Sequence, residues 1–282
     1  MPKERLDILL VERSLAESRN LARRLIMAGQ VRVNGQMMLK AGTKISPDSE
    51  IQIIEMPQFV SRGGEKLAAA LEVFPLEISD KICADVGSST GGFTDCLLQN
   101  GARKVYTIDV GKGILHWKLR QDQRLVIMEG TNARYLNRLP EAVEIITIDV
   151  SFISLKKLLP VFKGWFTPDD TGPIHRNEAK NGNLIALIKP QFEAGRQEAA
   201  RGQGVIRDQS VHRRVLIDVL GFADQNGYQI AGLMQSPLTG PKGNIEFLTW
   251  MVYAHGGGGY RDLQSKSQRE QSIKKMTADA LH

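Results

Sequence analysis

The spacing of apolar residues changes character near residue 60. Over Arg5–Arg13 the leucines at 6, 9 and 10 form a helical stripe. A second stripe, Leu21, Leu25 and Ile26, runs along a helix predicted over 19–28, capped by Ser18 and stopped at Gly29. Arg19, Arg23 and Arg24 fall on its outer side. Val31-Arg32-Val33 alternates and runs into Asn34-Gly35, a hairpin-turn pair, and a strand over 50–54 closes this first unit. Met56 to Ser61 holds a proline that breaks both periods and reads as a linker. A helix then opens at Ser61-Arg62-Gly63-Gly64-Glu65-Lys66-Leu67, with Leu67, Ala70, Leu71 and Phe74 on one face and Lys66 beside it.

From Lys81 onward the two periods alternate. Strands are predicted near 82–86, 104–109, 125–128, 144–149, 183–188, 228–234 and 245–253, and helices near 92–100, 113–120, 153–163 and 209–226. Such alternation gives a mainly parallel α/β sheet covered by helices on both faces. Only Pro237 to Pro241 separates the last two strands, which makes them an antiparallel pair at one edge. Two polar insertions break the pattern. The stretch 167–182 reads as an exposed loop. The stretch 191–208 follows a strand end and alternates Arg196, Arg201 and Arg207 with glycines, as a basic substrate loop would. Gly256–Gly259 marks the end of the folded part, and 256–282 reads as a polar, flexible tail.

Composition narrows the class only slightly. At 42% hydrophobic and 24% charged, the 282 residues suit an ordinary globular chain. The longest uncharged apolar runs are far too short to span a bilayer. The N-terminus alternates charges where an export signal needs an apolar core, so a cytoplasmic protein is expected. Cys83 and Cys96 lie within apolar patterns and read as buried thiols. Two cysteines without clustered histidines predict no metal site. A net charge of +6 permits a polyanionic partner without requiring one.

The candidate chemistry centres on residues 82–94, Ile-Cys-Ala-Asp-Val-Gly-Ser-Ser-Thr-Gly-Gly-Phe-Thr. An apolar strand ends in an acidic residue, a glycine-rich turn follows, and a helix begins: the arrangement that holds a nucleotide-like cofactor in an open α/β sheet. Asp109 ends the next strand 24 positions after Asp85, at the spacing of a ribose-binding carboxylate. Where a dinucleotide site has its second glycine this chain has Ser89, so no pyrophosphate need approach, which favours S-adenosylmethionine over NAD. Four charges form a second group. Asp149 and Lys189 end consecutive strands, Glu246 opens the last one, and Lys66 precedes the first. Because the last strand runs antiparallel, its start shares the crevice edge with the ends of the parallel strands.

Three resemblances follow. Seven strands with a terminal hairpin resemble the class I, Rossmann-like methyltransferase sheet more than a dehydrogenase. Residues 1–55, with Ala28-Gly29-Gln30-Val31-Arg32-Val33-Asn34-Gly35, resemble the small α+β alpha-L RNA-binding domain first known from a ribosomal protein. This implies RNA contacts from Arg5, Arg19, Arg23, Arg24 and Arg32, to which the loop adds Arg196 and Arg201. The ordered Lys66, Asp149, Lys189 and Glu246 resemble the catalytic tetrad of FtsJ-like RNA 2′-O-methyltransferases. S-R-G-G-E-K-L, D-V-G-S-S-T-G-G-F-T-D, D-V-S-F-I-S and I-K-P-Q-F-E narrow the resemblance to the TlyA family, known both as hemolysins and as ribosomal RNA 2′-O-methyltransferases.

That resemblance implies a methyltransferase domain over 62–255 after a linker at 56–61. It implies S-adenosylmethionine held by Asp85, Gly87, Ser88, Ser89, Thr90, Gly91, Gly92, Phe93, Asp109 and Asn132. It also implies ribosomal RNA or ribosomal subunits as partner and a cytidine ribose as acceptor. Lys189 is the candidate base, although the sequence leaves open which lysine takes the proton. A membrane-active hemolysin or a non-catalytic RNA-binding protein are the competing functions.

Overall fold

Two stretches of chain, Met1–Gln58 and Phe59–His282, form separate units. The computed structural model describes residues 2–54, 57–166, 181–195, 198, 202–254 and 264–282.

In the first unit, β1 (Glu4–Arg5) leads into α1 (Leu6–Glu12) and α2 (Arg19–Met27). These are followed by β2 (Val31–Val33), β3 (Gln36–Met38), β4 (Lys44–Ile45) and β5 (Ile51–Ile53). Leu6, Leu9 and Leu10 are buried as their spacing demands. On α2 the buried positions are Ala22 and Ile26, and Leu21 and Leu25 are half-buried, so the stripe is turned slightly from the one expected. Ser18 caps α2 by accepting from the Leu21 amide at 3.2 Å. Asn34 and Gly35, at φ of +50° and +80°, make the two-residue turn that sets Val33 opposite Gln36.

Asp7, with a side chain 0% exposed, reorganises the arginines around it. Arg5 donates to both of its carboxylate oxygens, at 2.9 and 3.0 Å, and Arg19 Nε donates at 2.9 Å. The Arg5 hydrogen bonds, helped by Arg19 and opposed by burial, lower the Asp7 carboxyl to about 2. Arg5 and Arg19, expected to face RNA, are thus drawn onto a carboxylate that has lost its water. Arg23, Arg24 and Arg32 are exposed and, among the described residues, form no ion pair.

The second unit opens with α3 (Gly63–Val73), β6 (Ile82–Val86), α4 (Gly92–Gln99), β7 (Lys104–Asp109), α5 (Trp117–Arg120), β8 (Leu125–Glu129) and β9 (Ile145–Ile148). It continues through α6 (Leu159–Phe162), β10 (Gly182–Ile188), α7 (Pro190–Glu193), α8 (Gln209–Gln225), β11 (Tyr228–Gln235), β12 (Phe247–Tyr253) and α9 (Lys266–Asp279). Among the described residues one seven-stranded sheet runs β11-β12-β10-β9-β6-β7-β8. β12 is antiparallel to both of its neighbours, β10 and β11. The terminal hairpin is therefore present, with its second strand inserted inside the first. The central strands are buried on both faces. Ile82, Ala84 and Val86 face one core with Ile146, Ile148 and α8, and Cys83 faces the other with Leu67, Leu97 and Ile145.

Several expected elements come out differently. The helix near 113–120 shortens to α5, because the His116 ring accepts from the Lys118 amide and caps it there. The helix near 153–163 is broken into a 3-10 turn at Leu155–Lys157, α6 and a 3-10 turn at Lys163–Trp165. The second half of the expected linker docks on the sheet unit: Phe59 is buried, and the Val60 amide donates to Asp95 at 2.9 Å. In place of a flexible tail, 266–279 is a helix opened by a Ser265–Gln268 capping box. Ile273, Met276, Thr277 and Ala280 recur at helical spacing on the core side, and Arg269 pairs with Asp224 at 2.9 Å.

Candidate active site

The loop from β6 to α4 crosses the carboxyl edge of the sheet. Gly87 sits there at φ +79°, and a Cβ on it would lie 2.5 Å from the Asp149 carbonyl oxygen at the end of β9. Only glycine lets the two backbones pass so closely. The Ser89 amide donates to Asp109 Oδ2 at 2.8 Å and the Gly111 amide to Oδ1 at 2.7 Å, so Asp109 is fixed across the mouth of β7. Each of its oxygens keeps a lone pair for a further donor.

Two cavities meet at this loop. The larger, about 370 Å3, is lined by Gly87, Ser89, Asp109, Asn132, Asp149 and Phe152 among others. The smaller, about 230 Å3, is lined by Ser61, Lys66, Ser88, Thr90, Gly92, Phe93 and Asp149 among others. Gly87, Ser89 and Asp149 border both.

Two of the residues expected at the cofactor line neither cavity. Asp85 is fully buried, because strand parity turns it away from the crevice toward α4. It accepts from Thr94 Oγ1 at 2.6 Å and Thr147 Oγ1 at 3.0 Å. Burial pushes its carboxyl up to about 7, against the pull of both threonines. Gly91, at φ +97°, caps α4 against Leu115 and Leu119. The two thiols, Cys83 and Cys96, are free, buried and pushed up to about 12 by desolvation. Among the described residues no cluster of His, Cys, Asp and Glu is arranged to hold a metal ion.

The four charges meet as two ion pairs. Lys66 Nζ, on α3, donates to Glu246 Oε2 at 2.5 Å, and the carboxylate is fully buried. Lys189 Nζ lies 2.6 Å from Asp149 Oδ1 and donates to Ser151 Oγ at 3.0 Å. Among the described residues no aligned hydrogen bond reaches Asp149 Oδ1, so its contact with Lys189 is an ion pair. Each pair joins distant parts of the chain, because β9 and β10 are parallel neighbours and β12 enters the sheet beside β10 in the opposite direction. Glu246 stands just before β12, not within it.

Helix α7, which begins directly after Lys189, supplies contacts that the sequence reading passed over. Gln191 Nε2 donates to Glu246 Oε1 at 3.2 Å. Glu193 accepts from Ser154 Oγ at 2.6 Å and the Leu155 amide at 2.8 Å, and burial raises its carboxyl above the ordinary range. The Phe192 ring lies 4.8 Å from that of Phe152, which is 89% exposed at φ +65° beside the larger cavity. The I-K-P-Q-F-E string carried a signal for Gln191 and Glu193: polar residues at a strand end that faces the crevice. Of the expected basic loop, Arg196 and Arg201 lie outside the described residues, and Arg207 is exposed.

Comparison with known proteins gives concordant matches. The model of the FtsJ-like methyltransferases matches residues 59–253, and that of the S4 domain matches 4–51. YqxC of Bacillus subtilis is 47% identical over 275 residues, which cover 95% of this chain and 91% of that protein. The Mycobacterium tuberculosis protein named 16S/23S rRNA (cytidine-2′-O)-methyltransferase TlyA is 39% identical over 255 residues, covering 88% of this chain and 90% of the relative. A solved structure of a hemolysin-named protein from Streptococcus thermophilus superposes with a TM-score of 0.68 at 41% identity, covering 99% of this chain and 96% of that one.

Proposed function

The chain belongs to the FtsJ-like methyltransferase family, and on that premise we propose that it transfers a methyl group from S-adenosylmethionine to the 2′-hydroxyl of a ribose, a cytidine's, in ribosomal RNA. The observation that carries this reading is Asp149. It borders the larger cavity, which suits an adenosine-sized group, and the smaller one, where Lys66 stands. A donor and an acceptor placed in the two cavities meet beside the two ion pairs.

Gly87, Ser88, Ser89, Asp109 and Asn132 would hold the cofactor, Asp109 through the two ribose hydroxyls. When bound, S-adenosylmethionine supplies a methyl group already activated by its sulfonium. The remaining work is positioning and proton removal. The acceptor hydroxyl would give its proton to the Lys189 amine, which first has to release its own ammonium proton to solvent. Asp149 then stands against the ammonium that forms. Lys66, held by Glu246, orients the attacking oxygen. Phe152 offers an exposed ring on which an unstacked base can lie. Arg23, Arg24 and Arg32 of the S4 domain, with Arg196 and Arg201, pair with RNA phosphates. A ribosomal acceptor makes the cytoplasm the place of action.

The test is transfer of labelled methyl to small and large ribosomal subunits, assayed separately, from cells lacking this protein. Label on a cytidine ribose supports the reading. Label on a base, or on neither subunit despite cofactor binding, refutes it. The hemolysin name of the Streptococcus structure suggests a membrane-lytic activity instead. No helix among the described residues is long and apolar enough to cross a membrane, and cofactor-independent lysis of liposomes by the purified protein would favour that reading.

A further inference from the structure

Helix α7 has only four residues, yet the chain from Lys189 to Glu193 reaches three different parts of the site. Lys189 pairs with Asp149, Gln191 with Glu246, and Glu193 with the turn after β9. Pro190 stands between the first two and restricts the backbone that joins them.

Gln191 is 8% exposed. Its Nε2 faces Glu246 Oε1, and because a carboxylate only accepts, the amide orientation follows: nitrogen toward Glu246, oxygen away. That oxygen, Oε1, is buried and has no hydrogen-bond partner among the described residues. Glu246 is confined on its other sides. Oε2 takes Lys66, and a Cβ on Gly240 would lie 2.0 Å from Oε1, so the carboxylate packs directly on the Gly240 backbone. A side chain kept only for packing would be apolar here, since a buried amide oxygen without a donor is unfavourable.

We infer that Gln191 is a positioning residue for the methyl-transfer site: its amide clamps Glu246 Oε1 and thereby sets Lys66 in relation to Lys189, two residues upstream on the same short segment. The two ion pairs are then one assembly and not two independent contacts. The catalytic consequence rests on the function proposed above; the positional one does not.

Two variants test it, Gln191→Met, of similar length without a donor, and Gln191→Asn, whose amide is one methylene short. Their crystal structures are compared with the parent's, and single-turnover transfer to ribosomal subunits is measured with the binding of cofactor and RNA. In Gln191→Met the Glu246 carboxylate is expected to rotate and Lys66 Nζ to move by about 1 Å or more, with the transfer rate falling ~10–100-fold. Cofactor and RNA affinities are expected to stay within about threefold of the parent values. Glu246→Gln should mask the effect, the double variant being no slower than Glu246→Gln alone. Losses that add fully, a loss confined to RNA affinity, or an unmoved Lys66–Glu246 pair each overturn the inference. If Gln191→Met does not fold, Gln191→Asn is read by the same criteria. If the parent protein transfers no methyl group to either subunit, the functional reading fails. The geometry of the Lys66–Glu246 pair in the variant then decides the positioning role by itself.

Discussion

Lys66 and Glu246 are 180 positions apart in sequence and 2.5 Å apart in the fold, and almost no water reaches either charge. Such a pair contributes little net stability but is costly to break, because its desolvation was already incurred on folding. Glu246→Ala, which leaves the Lys66 ammonium buried and unpaired, is expected to destabilise the protein by about 3–5 kcal/mol. The double variant Lys66→Met with Glu246→Ala is expected to recover most of that loss while remaining inactive. Urea unfolding of the three proteins measures both effects.

Asp7 governs the acid stability of the first unit. Its carboxyl is held at about 2, against an ordinary 3.8, by Arg5 first and Arg19 after it. A lowered folded value means that the stabilisation is complete above about pH 4 and is lost as pH falls through 2. The shift corresponds to about 2 kcal/mol at neutral pH. Asp7→Asn is expected to lose that amount at pH 7, and the gap should close near pH 2. Unfolding of the isolated 1–58 segment, or of the whole chain by local hydrogen exchange, reads the difference.

Asp85 acts in the opposite sense. Burial raises its carboxyl to about 7 from 3.8. A raised folded value gives stability that is present at low pH and is lost as pH rises from about 4 through 7, on the order of 4 kcal/mol in all. The Tm of the wild type should therefore fall between pH 5 and pH 8 by more than that of Asp85→Asn, which has no proton to lose there. Equal slopes would mean that Asp85 is already ionised at pH 5.

These two aspartates also mark where sequence reading reached its limit. Apolar periodicity showed the strands and a mainly parallel sheet, and the short connection from Pro237 to Pro241 showed the antiparallel last pair, since β-period and helix-period runs are distinct over such lengths. The meeting of Lys66, Asp149, Lys189 and Glu246 at one edge followed from topology, because strand ends fall together in a parallel sheet. The direction of single side chains did not. Asp109 is the last residue of β7, but Asp85 stands one residue before the end of β6, and its parity, shared with Cys83, turns it under the loop. Arg5 and Arg19 do reach the surface, but their pairing with Asp7 went unread because that buried carboxylate lies between leucines at 6 and 9 and gives no apolar signal of its own. Helix α9 was legible in its 273, 276, 277 and 280 spacing and its capping pair, but its charge-rich composition hid it.

The arginines of the first unit should divide into two classes. Arg23→Ala and Arg24→Ala remove exposed cations without an ion pair among the described residues. Each is expected to lower the slope of log affinity for RNA against log salt by about 1, with Tm unchanged. Arg19→Ala also takes a donor from buried Asp7 and should lower Tm as well. Salt titration of RNA binding, run alongside thermal melts, separates the two classes.

The central claim is that the paired charges at the sheet edge carry methyl transfer, and single-turnover transfer by Lys189→Ala tests it most directly. The variant is to be saturated with S-adenosylmethionine and mixed with ribosomal subunits that accept label from the wild type. The account predicts cofactor affinity within about threefold of wild type and a transfer rate lower by ~100-fold or more, since the proton acceptor is gone. Full transfer at unchanged cofactor affinity would contradict it, and would remove Lys189 from the reaction.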